Sequence, residues 1–287
     1  MKIKLRSKRV SRSLGGDIAL FTILLIFAAF TALPLVLVIT NAFKPLNELF
    51  IFPPRFFVRN PTLDNFKALS VVMSNSWIPF SRYIFNTLFL SIIGTAGHVI
   101  FASMAAYVLS KHRFPGRRVF FATVVLSLMF APEVLSIPNY LIMSKIGWVD
   151  SLTALIIPAW AMSLGLFLMK QFMETMVPDS LLEAAKIDGA SEWRIFWQIV
   201  MPIVKPAWLT LMILAFQRLW QMVPGQYIYS EEMKTLSYAI NQIMQGGRAR
   251  EGVMAAVSLL MMIVPIVIFV VNQSKVVETM GTSGIKD

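Results

Sequence analysis

Six long apolar runs punctuate the chain: Ile18 to Thr40, Ile84 to Ser110, Val119 to Met143, Leu152 to Phe172, Val204 to Val223 and Gly252 to Val271. An α-helix rising about 1.5 Å per residue needs about 20 residues to cross a hydrocarbon layer about 30 Å thick. The pattern predicts an all-α, polytopic membrane protein with six transmembrane helices. Two runs are less uniform than the rest, since the third holds Pro132, Glu133 and Pro138 and the fifth holds Arg218. The first run is too long for a signal-peptide core and has no small-residue cleavage pattern behind it, so it is expected to stay in the mature protein.

Composition agrees with that pattern. Of the 287 residues, 57% are hydrophobic and only 14% charged. A soluble domain carries about 25% charged residues, so much of this surface must face lipid. The absence of cysteine removes disulfides, thiolate metal sites and thiol nucleophiles together. The net charge of +11 does not point to nucleic acid, because no basic run is interleaved with aromatic residues. The positive charges instead flank the apolar runs. Lys2, Lys4, Arg6, Lys8, Arg9 and Arg12 precede the first, and Lys111, Arg113, Arg117 and Arg118 follow the second. An even number of spans puts both termini on one side, and the positive-inside rule makes that side the cytoplasm.

The connection between runs four and five has its own local pattern. Pro178 can open a helix, where its missing amide is no loss. Glu183, Ala184, Ala185 and Lys186 continue it, and Gly189 can take the left-handed conformation that stops it. Ser191 can cap a second helix whose positive end Glu192 suits, and Pro202 is expected to close the segment. The prediction is helix, sharp turn, helix on the cytoplasmic surface.

These residues carry a resemblance. Glu183-Ala184-Ala185, three residues, Gly189, nine residues, Ile199, one residue and Met201-Pro202 resemble the EAA motif of binding-protein-dependent ABC importer permeases. The family usually has Leu at the position of Met201, an apolar exchange of similar volume. Pro61-Thr62-Leu63-Asp64-Asn65-Phe66, Asn86-Thr87, Arg113-Phe114-Pro115-Gly116 and Ile137-Pro138-Asn139-Tyr140 with Gly147 and Asp150 resemble patterns of the carbohydrate uptake transporter family 1. The tail Gly281 to Lys286 is similar to that of the downstream permease in maltose-type systems.

The resemblance implies residues 1–17 as a basic cytoplasmic N-terminus and 18–287 as a six-span permease domain, with the EAA loop at 178–202 and a cytoplasmic tail at 273–287. It implies that Glu183, Ala184, Ala185, Asp188 and Gly189 form a coupling helix docked on an ATPase. It further implies a second homologous permease subunit, two ATP-binding-cassette subunits, an extracytoplasmic substrate-binding protein and a sugar substrate, all at a bacterial inner membrane. The chain has no G-x-x-x-x-G-K-[ST] phosphate loop, so no cofactor is expected on it; ATP with magnesium belongs to the partner ATPases, and no catalytic residue is expected here. Six spans are few for a complete alternating-access pathway, which fits pairing with a second permease.

Ionisable residues within a span are costly and mark function by default. Glu133 and Arg218 each fall about 14 residues, or about 21 Å, into their runs. With Gln217, Trp220 and Gln221 they are the candidate substrate pathway, since aromatic faces beside amide and charged groups suit a sugar. Two readings stay open: a pocket, or Arg218 snorkelling to the interface and Glu133 capping a broken helix. If Arg218 meets substrate, an acidic glycan is favoured. His98 stands alone and is expected to pack or bond a backbone carbonyl rather than hold a metal. Gln245-Gly246-Gly247 is a candidate contact for the binding protein, and Asn272-Gln273-Ser274 matches a glycosylation acceptor at a cytoplasmic position. The alternatives are a permease for a non-sugar solute, an ion-coupled secondary transporter with Glu133 as its one site, and a membrane protein that moves nothing.

Overall fold

The computed structural model describes residues 14–74, 78–131, 133–245, 247 and 250–283, and every regular element among them is helical. The basic residues before Leu14, with Pro132, Gly246 and Lys286, lie outside the described residues. In chain order the main helices are α1 (Leu14–Phe43), α2 (Asp64–Ser74), α3 (Phe80–Lys111), α4 (Arg117–Ser127), α5 (Ser136–Ile146), α6 (Thr153–Trp160), α7 (Ser163–Met176), α8 (Asp179–Ile187), α9 (Lys205–Trp220), α10 (Leu236–Met244) and α11 (Glu251–Ser283).

Among the described residues four segments are helical, long and apolar enough to cross a membrane: Gly15–Phe43, Phe80–Lys111, Thr153–Met176 and Glu251–Val271. A fifth is broken, because Glu192–Ile203 and Lys205–Trp220 meet at 79°. The third apolar run is not the continuous helix its composition suggests. It divides into α4 and α5, of 11 residues each, with non-helical residues between them at 128–131 and 133–135. Each piece is about 17 Å long and crosses nothing alone. The physical reason is in the sequence: the run contains a proline, which has no amide to give the carbonyl four residues back and is therefore poorly tolerated inside a helix. Pro138, by contrast, falls in the first turn of α5, where it is tolerated.

Pro202 does not close the coupling segment as expected. Helix continues from Glu192–Arg194 through a π-helical stretch, Ile195–Val200, into Met201–Ile203, and the bend falls at Val204. The wider π turn loosens the backbone just before the proline ring.

The chain divides into two units, residues 1–69 with 248–259 and residues 70–247 with 260–287. In the first, α1 exposes apolar side chains such as Phe21, Leu25, Phe27 and Phe30 on all sides, as a span in lipid does. Asn65 donates from Nδ2 to the carbonyls of Ala42 (3.0 Å) and Lys44 (2.7 Å), tying the start of α2 to the end of α1. A Cβ on Gly252 would overlap the Asn65 amide, so only glycine admits this approach. Glu48 is buried and accepts from the amides of Arg59 (3.1 Å) and Asn60 (3.0 Å).

In the second unit α3 is the central helix, with α6, α7 and α9 packed around it. Small residues let the backbones close up, which is how helices associate where lipid removes the hydrophobic incentive. A Cβ on Gly94 would come within 2.6 Å of Leu219 Cδ1, and one on Gly97 would overlap the Trp160 indole. Leu90, Leu155, Ile156, Ala159, Leu219 and Ile228 form one buried cluster. A second, around Ala106, Tyr107, Met169, Met173, Val177 and Phe196, lies toward the Lys111 end of α3 and takes in Leu182 and Ala185 of α8.

Candidate functional site

The loop from Pro178 to Pro202 is held to the Lys111 end of α3 by apolar contact and by charge. The amphipathic α8 turns Leu182 and Ala185 into the bundle and leaves Glu183, Ala184, Ile187, Asp188 and Gly189 exposed. Ile187 is 87% exposed, a large apolar side chain with nothing over it. Gly189 has φ +77°. Its amide bonds the Lys186 carbonyl, and that of Ala190 bonds Ala185, each at 3.0 Å. This pair of bonds is the Schellman closure of a helix C-terminus, and it puts the left-handed residue where glycine is favoured. Ser191 Oγ accepts from the Arg194 amide as the cap of the next turn. The helix, sharp turn and second cap therefore stand where the residues predict them.

Side chains from α3 clamp both parts of this loop. Lys111 Nζ donates to the Val177 carbonyl (2.6 Å) and to Asp179 Oδ1 (2.7 Å), fixing the start of α8. The Lys111 hydrogen bond holds the Asp179 carboxyl below the usual carboxylate range. Tyr107 donates its hydroxyl to Glu192 Oε2 (2.8 Å), and Lys186 pairs with the other oxygen of Glu192 (2.8 Å). His112 lies 3.5 Å from Glu192. Sequence reading found Glu192 only as a helix-start residue and missed Tyr107 and Lys111. Their signal was faint: a hydroxyl and an amine one helical turn apart, at the end of a span.

The proposed pathway residues are less united. Glu133 lies exposed in the stretch between α4 and α5. Its backbone carbonyl accepts from the Ser136 hydroxyl (2.7 Å). Gln217, Arg218 and Gln221 sit together at the end of α9, with Arg218 and Gln221 exposed and Gln217 partly buried. A cation in the last turn also suits the negative end of a helix. Trp220 is packed inside, stacked on Phe216 and donating to the Met261 carbonyl (3.1 Å). Among the described residues no ion pair or hydrogen bond joins Glu133 to Arg218. His98 is 2% exposed and donates from Nδ1 to the Trp160 carbonyl (3.2 Å), at the interruption between α6 and α7.

At the other end of α3 a second set of ties holds the segment 229–236. Asn86 Nδ2 donates to the carbonyls of Glu232 (2.7 Å) and Lys234 (3.0 Å). Thr87 Oγ1 accepts from the Leu236 amide (2.8 Å), and Tyr83 donates to Glu231 Oε1 (2.7 Å). Asp150, at φ +62°, accepts from the amides of Tyr229 (2.9 Å) and Ser230 (2.7 Å) and from the Ser230 hydroxyl. These bonds, that of the hydroxyl first, hold its carboxyl below the ordinary range.

A loop clamped at one end of a membrane helix, with an exposed short helix closed by a left-handed glycine, has a match among known families. Residues 98–278 fit the family described as binding-protein-dependent transport system inner membrane component. The chain belongs to this family. It is a multi-pass inner-membrane permease component, and its relatives agree. An arabinooligosaccharides transport system permease protein of Halalkalibacterium halodurans is 31% identical over 277 residues, covering 93% of this chain and 96% of that protein. A polygalacturonan/rhamnogalacturonan transport system permease protein of Bacillus subtilis is 30% identical over 213 residues, covering 74% of this permease and 72% of that one. An sn-glycerol-3-phosphate transport system permease protein of Yersinia enterocolitica is 35% identical over 157 residues, about half of each chain at 55% and 54%. A crystal structure of a bacterial ABC transporter involved in the import of the acidic polysaccharide alginate contains a chain that superposes with a TM-score of 0.76. It is 22% identical and is covered to 98%, against 92% of this permease, which establishes the fold.

Proposed function

We propose that this chain is the permease subunit of an ABC importer for an oligosaccharide and that its coupling loop receives the movement of a partner ATPase. The observation that carries the reading is the exposed ridge Glu183, Ala184, Ile187, Asp188 and Gly189 on a helix otherwise fixed to the bundle. Small Ala184 permits close approach, Ile187 offers apolar area, and Glu183 and Asp188 offer charge to a basic cleft. A loosely held helix would absorb a push; one tied by Lys111, Tyr107 and its own apolar face passes it on.

The full reading has six crossings with both termini cytoplasmic, the third made by α4 and α5 together and the fifth by the bent segment ending in α9. The partners are a second homologous permease, two ATPase subunits that hold the ATP with magnesium, and an extracytoplasmic binding protein. No bond of the cargo is made or broken on this chain. A carbohydrate cargo is supported by the relative that matches nearly end to end, whose name specifies arabino-oligosaccharides. Gln217, Arg218 and Gln221 are the pathway residues of this reading, with Trp220 supporting them from behind. Glu133 joins them because an exposed, non-helical stretch bearing a charge does not face lipid; it must line protein or water. An acidic glycan rests on Arg218 and on the polygalacturonan-type relative.

The test is purification of the intact complex from its own membranes, with copurifying chains and the ligand of the binding protein identified by mass spectrometry. An ATPase and an oligosaccharide are expected. A chain purified without any ATPase, taking up solute until an uncoupler is added, would overturn the reading.

A further inference from the structure

The two clamps occupy opposite ends of one helix. At 32 residues α3 is about 48 Å long, well beyond the about 30 Å of hydrocarbon, so its ends stand in opposite interfaces. It has no break and no internal proline. Other elements of this unit are interrupted: α4 and α5 are parted at 128–131 and 133–135, α6 and α7 at 161–162, and the approach to α9 bends by 79°. Helix α11, residues 260–283 of which fall in this unit, is continuous but holds Pro265 and carries none of the clamp residues. A displacement applied to an interrupted helix is taken up where the hydrogen-bond ladder is missing, whereas a continuous one moves as a rod.

What the rod holds at each end is specific. At the Lys111 end, Lys111 and Tyr107 bind the two halves of the coupling loop, at Val177–Asp179 and at Glu192. The Lys111 side chain is only 6% exposed, so its amine is committed to these partners. At the Phe80 end, Asn86 and Thr87 are buried and bind backbone groups of Glu232, Lys234 and Leu236. Backbone partners matter, because they fix the course of the segment rather than one side chain. The same segment is bonded onward to Asp150.

We propose that α3 is the strut that carries displacement of the coupling loop to the segment 229–236 on the opposite membrane face, with Lys111 and Tyr107 as positioning residues at one end and Asn86 and Thr87 at the other. The inference rests on the reading of the loop as the ATPase contact. By linkage it runs both ways: what binds the outer segment biases the loop, and what binds the loop biases the outer segment.

The chain has no cysteine, so Gln226→Cys, at an exposed position just before the segment, gives it a single thiol. The complex carrying it is reconstituted in vesicles and labelled with a membrane-impermeant maleimide, with and without ATP, magnesium and vanadate. Nucleotide trapping should change the labelling rate by about fivefold or more, the low end of ordinary coupling between sites. Lys111→Met with Tyr107→Phe should reduce that response below about twofold, and so should Asn86→Leu. Thr87→Val, nearly isosteric, makes the same test at the outer end if Asn86→Leu impairs assembly. Lys111→Arg alone should keep the response. Breaking both ends should lose no more than breaking one, because a strut released at either end carries nothing. Clamp variants that assemble and keep the full response, or losses that multiply between the ends, overturn the strut. If the Gln226→Cys complex holds an ATPase but shows no nucleotide response, the outer segment does not follow the loop and the strut falls while the functional reading stands; if it holds no ATPase, the functional reading falls, and the strut with it.

Discussion

Gly189 separates two roles that its position combines. It is the left-handed closure of α8, at φ +77°, and it stands on the exposed ridge proposed to dock the ATPase. A Cβ added there would meet nothing within 4 Å, so any cost to the fold comes from backbone conformation alone. For an ordinary L-residue that cost is about 1–2 kcal/mol, and a β-branched side chain belongs at the upper end. Asparagine visits this region readily and should cost about 0.5 kcal/mol or less. Gly189→Val is therefore expected to lower the thermal stability of the purified permease measurably, while Gly189→Asn leaves it nearly unchanged. Docking makes the opposite demand, because a complementary cleft sees the new side chain whether or not the backbone tolerates it. Gly189→Asn should thus lose most transport and most substrate-stimulated ATPase activity in a chain that inserts and melts normally. Transport into vesicles, ATPase rate and melting temperature, taken on the same preparations, decide the matter. If Gly189→Asn transports at the unmodified rate and the loss in Gly189→Val tracks its lost stability, the glycine is a helix stop and nothing more.

Further outcomes follow from the same geometry. Arg218→Gln should reduce uptake of an acidic oligosaccharide more than that of a neutral one; equal losses would remove the acidic-cargo argument. Gly165→Ala would press a Cβ into the buried His98 ring and should destabilise by about 1–3 kcal/mol. His98→Ala should relieve it, so that melting of the double variant beats the sum of the two, and strict additivity would refute the contact. Asp179 has a folded pKa below its unfolded value through Lys111, so its tie is present in full above about pH 4 and lost as the pH falls through the lowered value. Asp179→Asn should lower the melting temperature by a constant amount between about pH 5 and 8, and the difference should vanish in stronger acid. A difference that instead titrates near neutrality would assign the tie to another group.

The outer-loop patterns acquire physical content once folded. Asn65 ties α2 to α1, Asn86 and Thr87 hold the backbone of 232–236, and Asp150 holds Tyr229 and Ser230. A sequence pattern can mark such residues without saying what they grip, because their partners are backbone groups as many as 149 residues away.

What the sequence by itself determined was everything governed by local spacing and composition. Apolar run length announced a membrane protein, and Pro178, Gly189 and Ser191 set the course of the coupling loop, because caps and left-handed turns are decided within a few residues. Glu183, Ala184 and Ala185 could be read in the same way. Only the tertiary structure decided where helices yield. Apolar content is blind to a missing amide, so the run from Val119 to Met143 read as one helix although it is two, and Pro202 read as a stop although a π turn carries the helix past it. The tertiary structure also decided which polar side chains do the holding. Lys111 and Tyr107 look like an interfacial lysine and a filler aromatic until the fold brings Val177, Asp179 and Glu192 to them, and Trp220 looks like a sugar platform until the bundle closes over it. Burial and partnership are properties of the packed chain, and no window of sequence contains them.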